Sequence, residues 1–149
     1  MRVGNRLAAI GAAAELTVSC AAPHARQIAY GAEVCRHCHM TIADPRFAAE
    51  LVTTKGMVFV FDDVGCLASF MASGKVSASD IHAILVNDFL NPDSMLHARE
   101  AVYLRVDSLQ TPMGSHLVAL RAADAERMRK LLGGNVVSWE HLEFRGHGS

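Results

Sequence analysis

Apolar positions from residue 47 onward follow strand and helix periods in the order strand, strand, helix, strand. The β-branched and aromatic runs Phe47–Thr53 and Met57–Phe61 flank Thr54-Lys55-Gly56, which is a hairpin signal. Apolar residues then recur at helical spacing from Val64 to Met71. The apolar run Ile81–Val86 is typical of a further strand. The first half of the chain is therefore predicted to form a ββαβ unit.

The second half of the chain repeats this order. After a turn predicted at Asn91-Pro92-Asp93, Ala101–Val106 and His116–Leu120 have strand patterns. Ala123–Leu132 has the pattern of an amphipathic helix, and Val136–Trp139 predicts a closing strand. The sequence therefore predicts an α+β fold of two small related ββαβ units packed as one compact domain.

The N-terminus has the layout of an export signal. Arg2 and Arg6 precede the apolar run Leu7–Ala14, and small residues lead into Cys20. The run is too short for a permanent transmembrane helix. We predict a signal peptide over residues 1–19, with Cys20 lipidated as the first residue of a periplasmic, membrane-anchored protein. The alternative is an ordinary cleaved signal that leaves Cys20 unmodified.

The remaining boundaries follow from composition. Residues 20–33 are predicted to form a flexible tether, 34–142 the folded domain and 143–149 a frayed, polar tail. The chain carries 14 basic and 15 acidic residues, so nothing indicates nucleic-acid binding. Its 4 cysteines are too few and too unevenly spaced for a disulfide scaffold.

The segment Cys35-Arg36-His37-Cys38-His39-Met40 concentrates soft and borderline metal ligands. Thiolate and thioether sulfur select Cu(I), and imidazole can complete such a site. The same letters spell C-x-x-C-H, which attaches c-type haem, and C-x-x-C alone also serves thiol-disulfide exchange. Structural zinc is a further alternative, although the sequence offers no second ligand pair. The simplest alternative is a protein-interaction module on a membrane tether, without a role in metal binding.

Other residues with ligand chemistry have simpler explanations in the pattern. Cys66 falls on the predicted helix and is expected to be a small buried hydrophobe outside the metal site. Asp62 and Asp63 precede the same helix, where capping explains them best. Met57, Met71 and Met128 lie in strand or helix patterns and are expected in the core.

Four segments together resemble the NosL family of nitrous oxide reductase accessory proteins, and they span most of the chain from Val34 to Trp139. These are Cys38-His39-Met40-Thr41-Ile42, Phe47-Ala48-Ala49-Glu50, Phe61-Asp62-Asp63-Val64-Gly65-Cys66-Leu67 and Pro112-Met113-Gly114-Ser115. The resemblance implies an exported, commonly lipid-anchored Cu(I)-binding protein, not an enzyme, built from two related ββαβ units. It also implies delivery of copper to an apo copper enzyme such as nitrous oxide reductase.

The resemblance implies copper-binding roles for Cys38 and Met40, the family's C-x-M motif, and for Met113. Cys35 and His39 depart from the commonest family pattern and extend the possible ligand set. A Cys-Cys, a Cys-Met and a Cys-Met-His site all remain open. The function expected from the sequence is thus an exported Cu(I) chaperone that hands its ion on by ligand exchange.

Overall fold

A four-stranded antiparallel sheet forms the first half of the chain. The structure is a computed structural model that describes residues 23–144. The sheet has the order β2-β1-β3-β4 and consists of β1 (Ala49–Thr53), β2 (Val58–Phe61), β3 (Ile81–Asp88) and β4 (Asn91–His97). Helix α1 (Val64–Ala72) connects β2 to β3 and contacts β1 and β2. Short 3-10 helices precede β1 (Pro45–Phe47) and β3 (Ala78–Asp80).

A three-stranded sheet of order β6-β5-β7 forms the second half. It consists of β5 (Val102–Arg105), β6 (Leu117–Leu120) and β7 (Asn135–Val137), with α2 (Ala122–Leu132) between β6 and β7. Helix α3 (Trp139–Phe144) follows. In each half the first strand lies between its hairpin partner and the strand that follows the helix. The predicted α+β fold with two ββαβ units is therefore confirmed.

One apolar core joins the two units. Helix α3 packs on α1, and the rings of Tyr103 and Trp139 lie 5.8 Å apart between centroids. The Tyr103 hydroxyl donates a hydrogen bond to the carbonyl of Ala98 at 2.7 Å, so this buried phenol is satisfied. Phe61 and Phe70 of the first unit belong to the same core. Because both units bury side chains in it, loops of one unit are held at fixed positions against the other.

Strand β4 is the main error of the sequence prediction. Asn91-Pro92-Asp93 begins this strand instead of forming a turn, and the turn lies at residues 89–90. Pro92 has no amide hydrogen to donate, but β4 is at the edge of the sheet, where proline is tolerated. The strand is defined by its pairing with β3, which its own polar sequence does not indicate.

Two smaller differences concern Trp139 and Met57. The predicted closing strand ends at Val137, and Trp139 begins α3 because the Ser138 hydroxyl accepts from the amide of His141 at 3.2 Å, as an N-cap does. Met57 is 53% exposed beside the β1–β2 turn, so its predicted place in the core was wrong. Met128 is buried as predicted.

The described part of the segment before residue 34 packs on the folded domain. Ile28 is buried in the core, and the Gly31 amide donates to the carbonyl of Ile42 at 2.8 Å. The domain bounds remain a prediction, and the signal peptide, Cys20 and residues 145–149 lie outside the described residues. In the part of the chain that is described, no helix is both long and apolar enough to cross a membrane.

Glu50 on β1 is fully buried beneath this segment. One carboxylate oxygen accepts from the Arg26 amide at 3.3 Å, and the other has no hydrogen-bond partner among the described residues. Burial therefore raises the pKa of Glu50 above its usual 4.5. Because the folded state holds the proton more tightly than the unfolded state, this group contributes less to stability as pH rises above about 4.5.

We expect Glu50→Gln to stabilise the fold at pH 7.5, by roughly 1 kcal/mol, since it removes a buried charge with little compensation. The gain should shrink as the pH falls toward the ordinary glutamate pKa, where the wild-type carboxyl is protonated. Urea unfolding at several pH values measures it, with the exposed Glu100→Gln as control. A difference that does not change with pH would contradict the explanation.

Candidate metal centre

The C-x-x-C-H-M segment forms a closed loop ahead of β1. An isolated bridge between Val34 and Thr41 joins its two ends. Inside the loop, the Cys35 amide donates to the carbonyl of Met40 at 2.8 Å. His39 has a φ of +62°, a left-handed conformation that is uncommon outside glycine and helps the chain to turn back. The loop therefore presents its two cysteines to the domain from a fixed backbone.

Four potential metal ligands, two from this loop and two from the residues that follow β2, lie close together. Each of Cys35, Cys38, Asp62 and Cys66 offers one ligand atom, and these atoms all lie within 4.8 Å of one another. Cys35 is 0% exposed, Asp62 and Cys66 are buried, and Cys38 is half-buried. Asp62 follows β2 and Cys66 lies in the first turn of α1. We call these four residues the thiol cluster, and its three cysteines are free.

Hydrogen bonds within the thiol cluster give the three sulfurs different acidities. Donation from the Cys66 thiol, helped by backbone amides, lowers the pKa of Cys35 to about 6. The same hydrogen bond to Cys35 raises the pKa of Cys66 well above its usual range. Burial raises the pKa of Cys38 to about 11, and its thiol donates to Asp62 Oδ2 at 3.3 Å. Cys35 is therefore the most acidic of the three thiols.

A cavity of about 270 Å³ lies beside the cluster, and the predicted Met113 lines it together with Cys66. The lining residues come from the C-x-x-C loop, from α1 and from the segment before β6: His37, Asp63, Gly65, Cys66, Ser69, Met113 and Ser115. Met113 is 47% exposed. Cys66 belongs both to this cavity and to the thiol cluster. Met113 therefore shares a cavity with one residue of the thiol cluster.

The structure places the other predicted site residues farther out. Met40 is 59% exposed, and His39 is also exposed. Neither lines the cavity, whereas His37 does. Cys35 and Cys38 thus meet at Cys66, and Met113 shares a cavity with Cys66. Metal ligation by Cys35, Cys38, Met40, His39 and Met113 remains a prediction.

The sequence analysis missed Cys66 and Asp62 as members of the cluster. Cys66 is buried as predicted, yet its sulfur faces two other thiols instead of only apolar side chains. Asp63 is the residue that caps α1, since its Oδ1 accepts from the Cys66 amide at 2.9 Å. The sequence carried one signal for Cys66. A helix cap at Asp63 places Cys66 in the first helical turn, where a loop that packs on this helix end can reach it.

Comparison with known proteins identifies the family. The family model described as NosL matches residues 28–144. Among solved structures, the chain is similar to the copper chaperone NosL from Shewanella denitrificans, with a TM-score of 0.66 and 22% sequence identity over 79% of this chain and 95% of that one. That likeness shows a shared fold. The comparison with curated proteins gives no match. Because the family model covers most of the described residues, the chain belongs to the NosL family.

Proposed function

We propose that the protein is an exported Cu(I) chaperone that delivers its ion to an apo copper enzyme such as nitrous oxide reductase. One observation carries the proposal: three cysteine sulfurs lie within 4.8 Å of one another, and one of these cysteines, Cys66, also lines an open cavity with Met113. The solved relative with the same fold is a copper chaperone. Copper is the cargo here, so the site must both hold it and let it go.

The chemistry of the cluster favours Cu(I) as cargo. Thiolates are soft ligands that select Cu(I) over hard cations. Hydrogen bonds from the Cys66 thiol and from backbone amides lower the pKa of Cys35, which favours the thiolate form that binds Cu(I). Cys38 and Cys66 lose their protons as they bind the ion, because the positive charge of the ion stabilises the thiolates. Cys35, Cys38 and Cys66 are therefore the proposed thiolate ligands, with Met113 as an accessory thioether.

Release by ligand exchange fits the exposure of the site. Cys38 is half-buried and Met113 exposed, so an acceptor's ligands can approach the ion from this side. Donor and acceptor would share the ion in an intermediate, and no bond of a substrate is made or broken. The protein is therefore proposed to act as a carrier and not as an enzyme. A lipid anchor at Cys20 would hold it at the periplasmic face of a membrane, where exported copper enzymes mature.

The geometry of the cluster argues against c-type haem and is compatible with structural zinc, two alternatives that the sequence left open. Attachment of c-type haem requires both cysteine sulfurs of C-x-x-C-H to reach the porphyrin, and Cys35 is fully buried against Cys66. The observation that favours structural zinc is Asp62, which supplies a fourth ligand that the sequence had not indicated. Zinc is therefore the second candidate. It would explain the buried side of the cluster but not the open cavity with Met113.

Metal uptake followed by transfer tests the proposal. The purified reduced protein is offered Cu(I) and Zn²⁺ together and its metal content is measured. The copper-loaded form is then mixed with apo nitrous oxide reductase and the two are separated. We expect copper to be retained and then to appear on the reductase. Uptake of zinc alone would replace the chaperone proposal with the structural one, and copper that never leaves would exclude delivery to this acceptor.

A further inference from the structure

Asp63 lies between the two units and contacts both. Its side chain is fully buried, at the end of β2 where α1 begins. Oδ1 accepts from the Cys66 amide at 2.9 Å, within the first unit. Oδ2 accepts from the Met113 amide at 3.2 Å and from the Thr111 hydroxyl at 3.3 Å, both in the second unit. One carboxylate therefore ties the backbone of a cluster cysteine to the backbone of the exposed methionine.

The packing around Asp63 requires a close approach of the same two segments. A Cβ at Gly65 in α1 would lie 2.7 Å from the Cβ of Ser115, so only glycine leaves room for this contact. Gly114 has a φ of +68°, and its amide donates to the carbonyl of Thr111 at 3.1 Å, which turns the loop back on itself. The loop of residues 111–115 is thus seated on the first turn of α1, and Asp63 is its buried anchor.

We infer that Asp63 is a positioning residue for copper, which holds Met113 at the cavity shared with Cys66 so that the thioether can bind the ion. The inference rests on the proposed Cu(I) site. The removal of one partner of a buried hydrogen bond leaves the other partner buried and unsatisfied. When a ligand lies on a loop that is only sometimes in the binding conformation, the affinity for the ion falls by the fraction of time that the loop is in that conformation. Without the hydrogen bond to Asp63, Met113 still has its sulfur, but its loop no longer holds that sulfur in one position.

Asp63→Asn separates this role from helix capping. Asparagine caps helices about as well as aspartate, so one oxygen can still accept from Cys66. The amide nitrogen then faces the Met113 amide, where two donors meet and no hydrogen bond forms. Thr111→Val is the second variant, should Asp63→Asn fail to fold. It removes the hydroxyl that donates to Oδ2 and that accepts from the His116 amide, and it leaves the cap untouched.

Asp88→Asn is a matched control. Asp88 is also buried and also links the two units, since it accepts from Leu90 at 3.2 Å and from the Arg121 guanidinium at 2.9 Å, but it contacts no residue of the proposed site. A general loosening of the two units would therefore lower copper affinity in Asp88→Asn as well.

The test is a double-mutant cycle of Cu(I) affinity, measured by chelator competition, for Asp63→Asn, Met113→Ala and the double variant. We expect Asp63→Asn to lower affinity about tenfold in the wild-type background and to have no further effect beside Met113→Ala. Thr111→Val should give a smaller loss, and Asp88→Asn none. Equal losses in both backgrounds, no loss, or an inert Met113→Ala would overturn the inference while leaving the cysteine site standing. A wild-type protein that binds no Cu(I) would instead refute the proposed function.

Discussion

Cys38→Ser is expected to lower Cu(I) affinity by more than about 100-fold, because even the loss of an outer partner of a metal ligand costs about 10–100-fold. A serine hydroxyl is a hard, neutral group that does not replace a thiolate on Cu(I). Cys38 is half-buried on the loop and its thiol makes a hydrogen bond to Asp62, which a hydroxyl can also make. The free energy of unfolding should therefore change by less than about 1 kcal/mol.

Anaerobic competition with a Cu(I) chelator measures this loss, and urea unfolding of the apo-protein checks the fold. Met57→Ala provides the control, since Met57 is an exposed methionine that belongs to neither the cavity nor the cluster. Its removal should leave affinity unchanged. An affinity that Cys38→Ser retains would remove the thiol cluster as the copper site.

The second large effect is expected for Cys66→Ala, which removes the proposed ligand that the sequence did not indicate. If Cys66 binds copper, affinity should fall by about 10- to 100-fold or more, since one of three thiolates is gone. If Cys66 only fills the core, affinity should stay the same. Alanine is small and apolar, so the stability loss should be limited to about 1 kcal/mol in either case.

The same competition assay decides between these two roles of Cys66, with apo-protein stability measured in parallel. Cys66→Ser is a useful companion, because it keeps a small polar group next to the Cys35 thiolate. We expect both variants to lose copper affinity similarly. A loss of stability without a loss of affinity would return Cys66 to the core and leave Cys35 and Cys38 as the only thiol ligands among the described residues.

Local patterns predicted most of the fold because most of its elements bury one clear apolar face. The runs that became β1, β2, β5 and β6 are short and rich in apolar residues, and the predicted helices match α1 and α2 within about two residues. Strand β4 was missed because Asn91-Pro92-Asp93 has turn chemistry, and only its pairing with β3 makes it a strand. Edge strands of this kind are set by a neighbour and not by their own sequence.

The candidate site was predictable where its residues are adjacent in sequence. Cys35 and Cys38 stand in one motif, and Met113 was indicated only by resemblance to a family. Cys66 and Asp62 join the cysteine pair through the placement of α1 and β2 beside the loop, which is a tertiary contact. Its one signal in the sequence was the cap at Asp63, which puts Cys66 in the first helical turn. Burial also misled: a buried cysteine is usually inert, and here the burial is what brings three sulfurs together.

X-ray absorption at the copper edge of the Cu(I)-loaded protein tests the central claim most directly. The account predicts one ion per chain with a first shell of sulfur, supplied by Cys35, Cys38 and Cys66. That shell should lose one sulfur in the Cys66→Ala variant. A first shell dominated by nitrogen or oxygen, or one unchanged by Cys66→Ala, would contradict the assignment of the thiol cluster as the copper site.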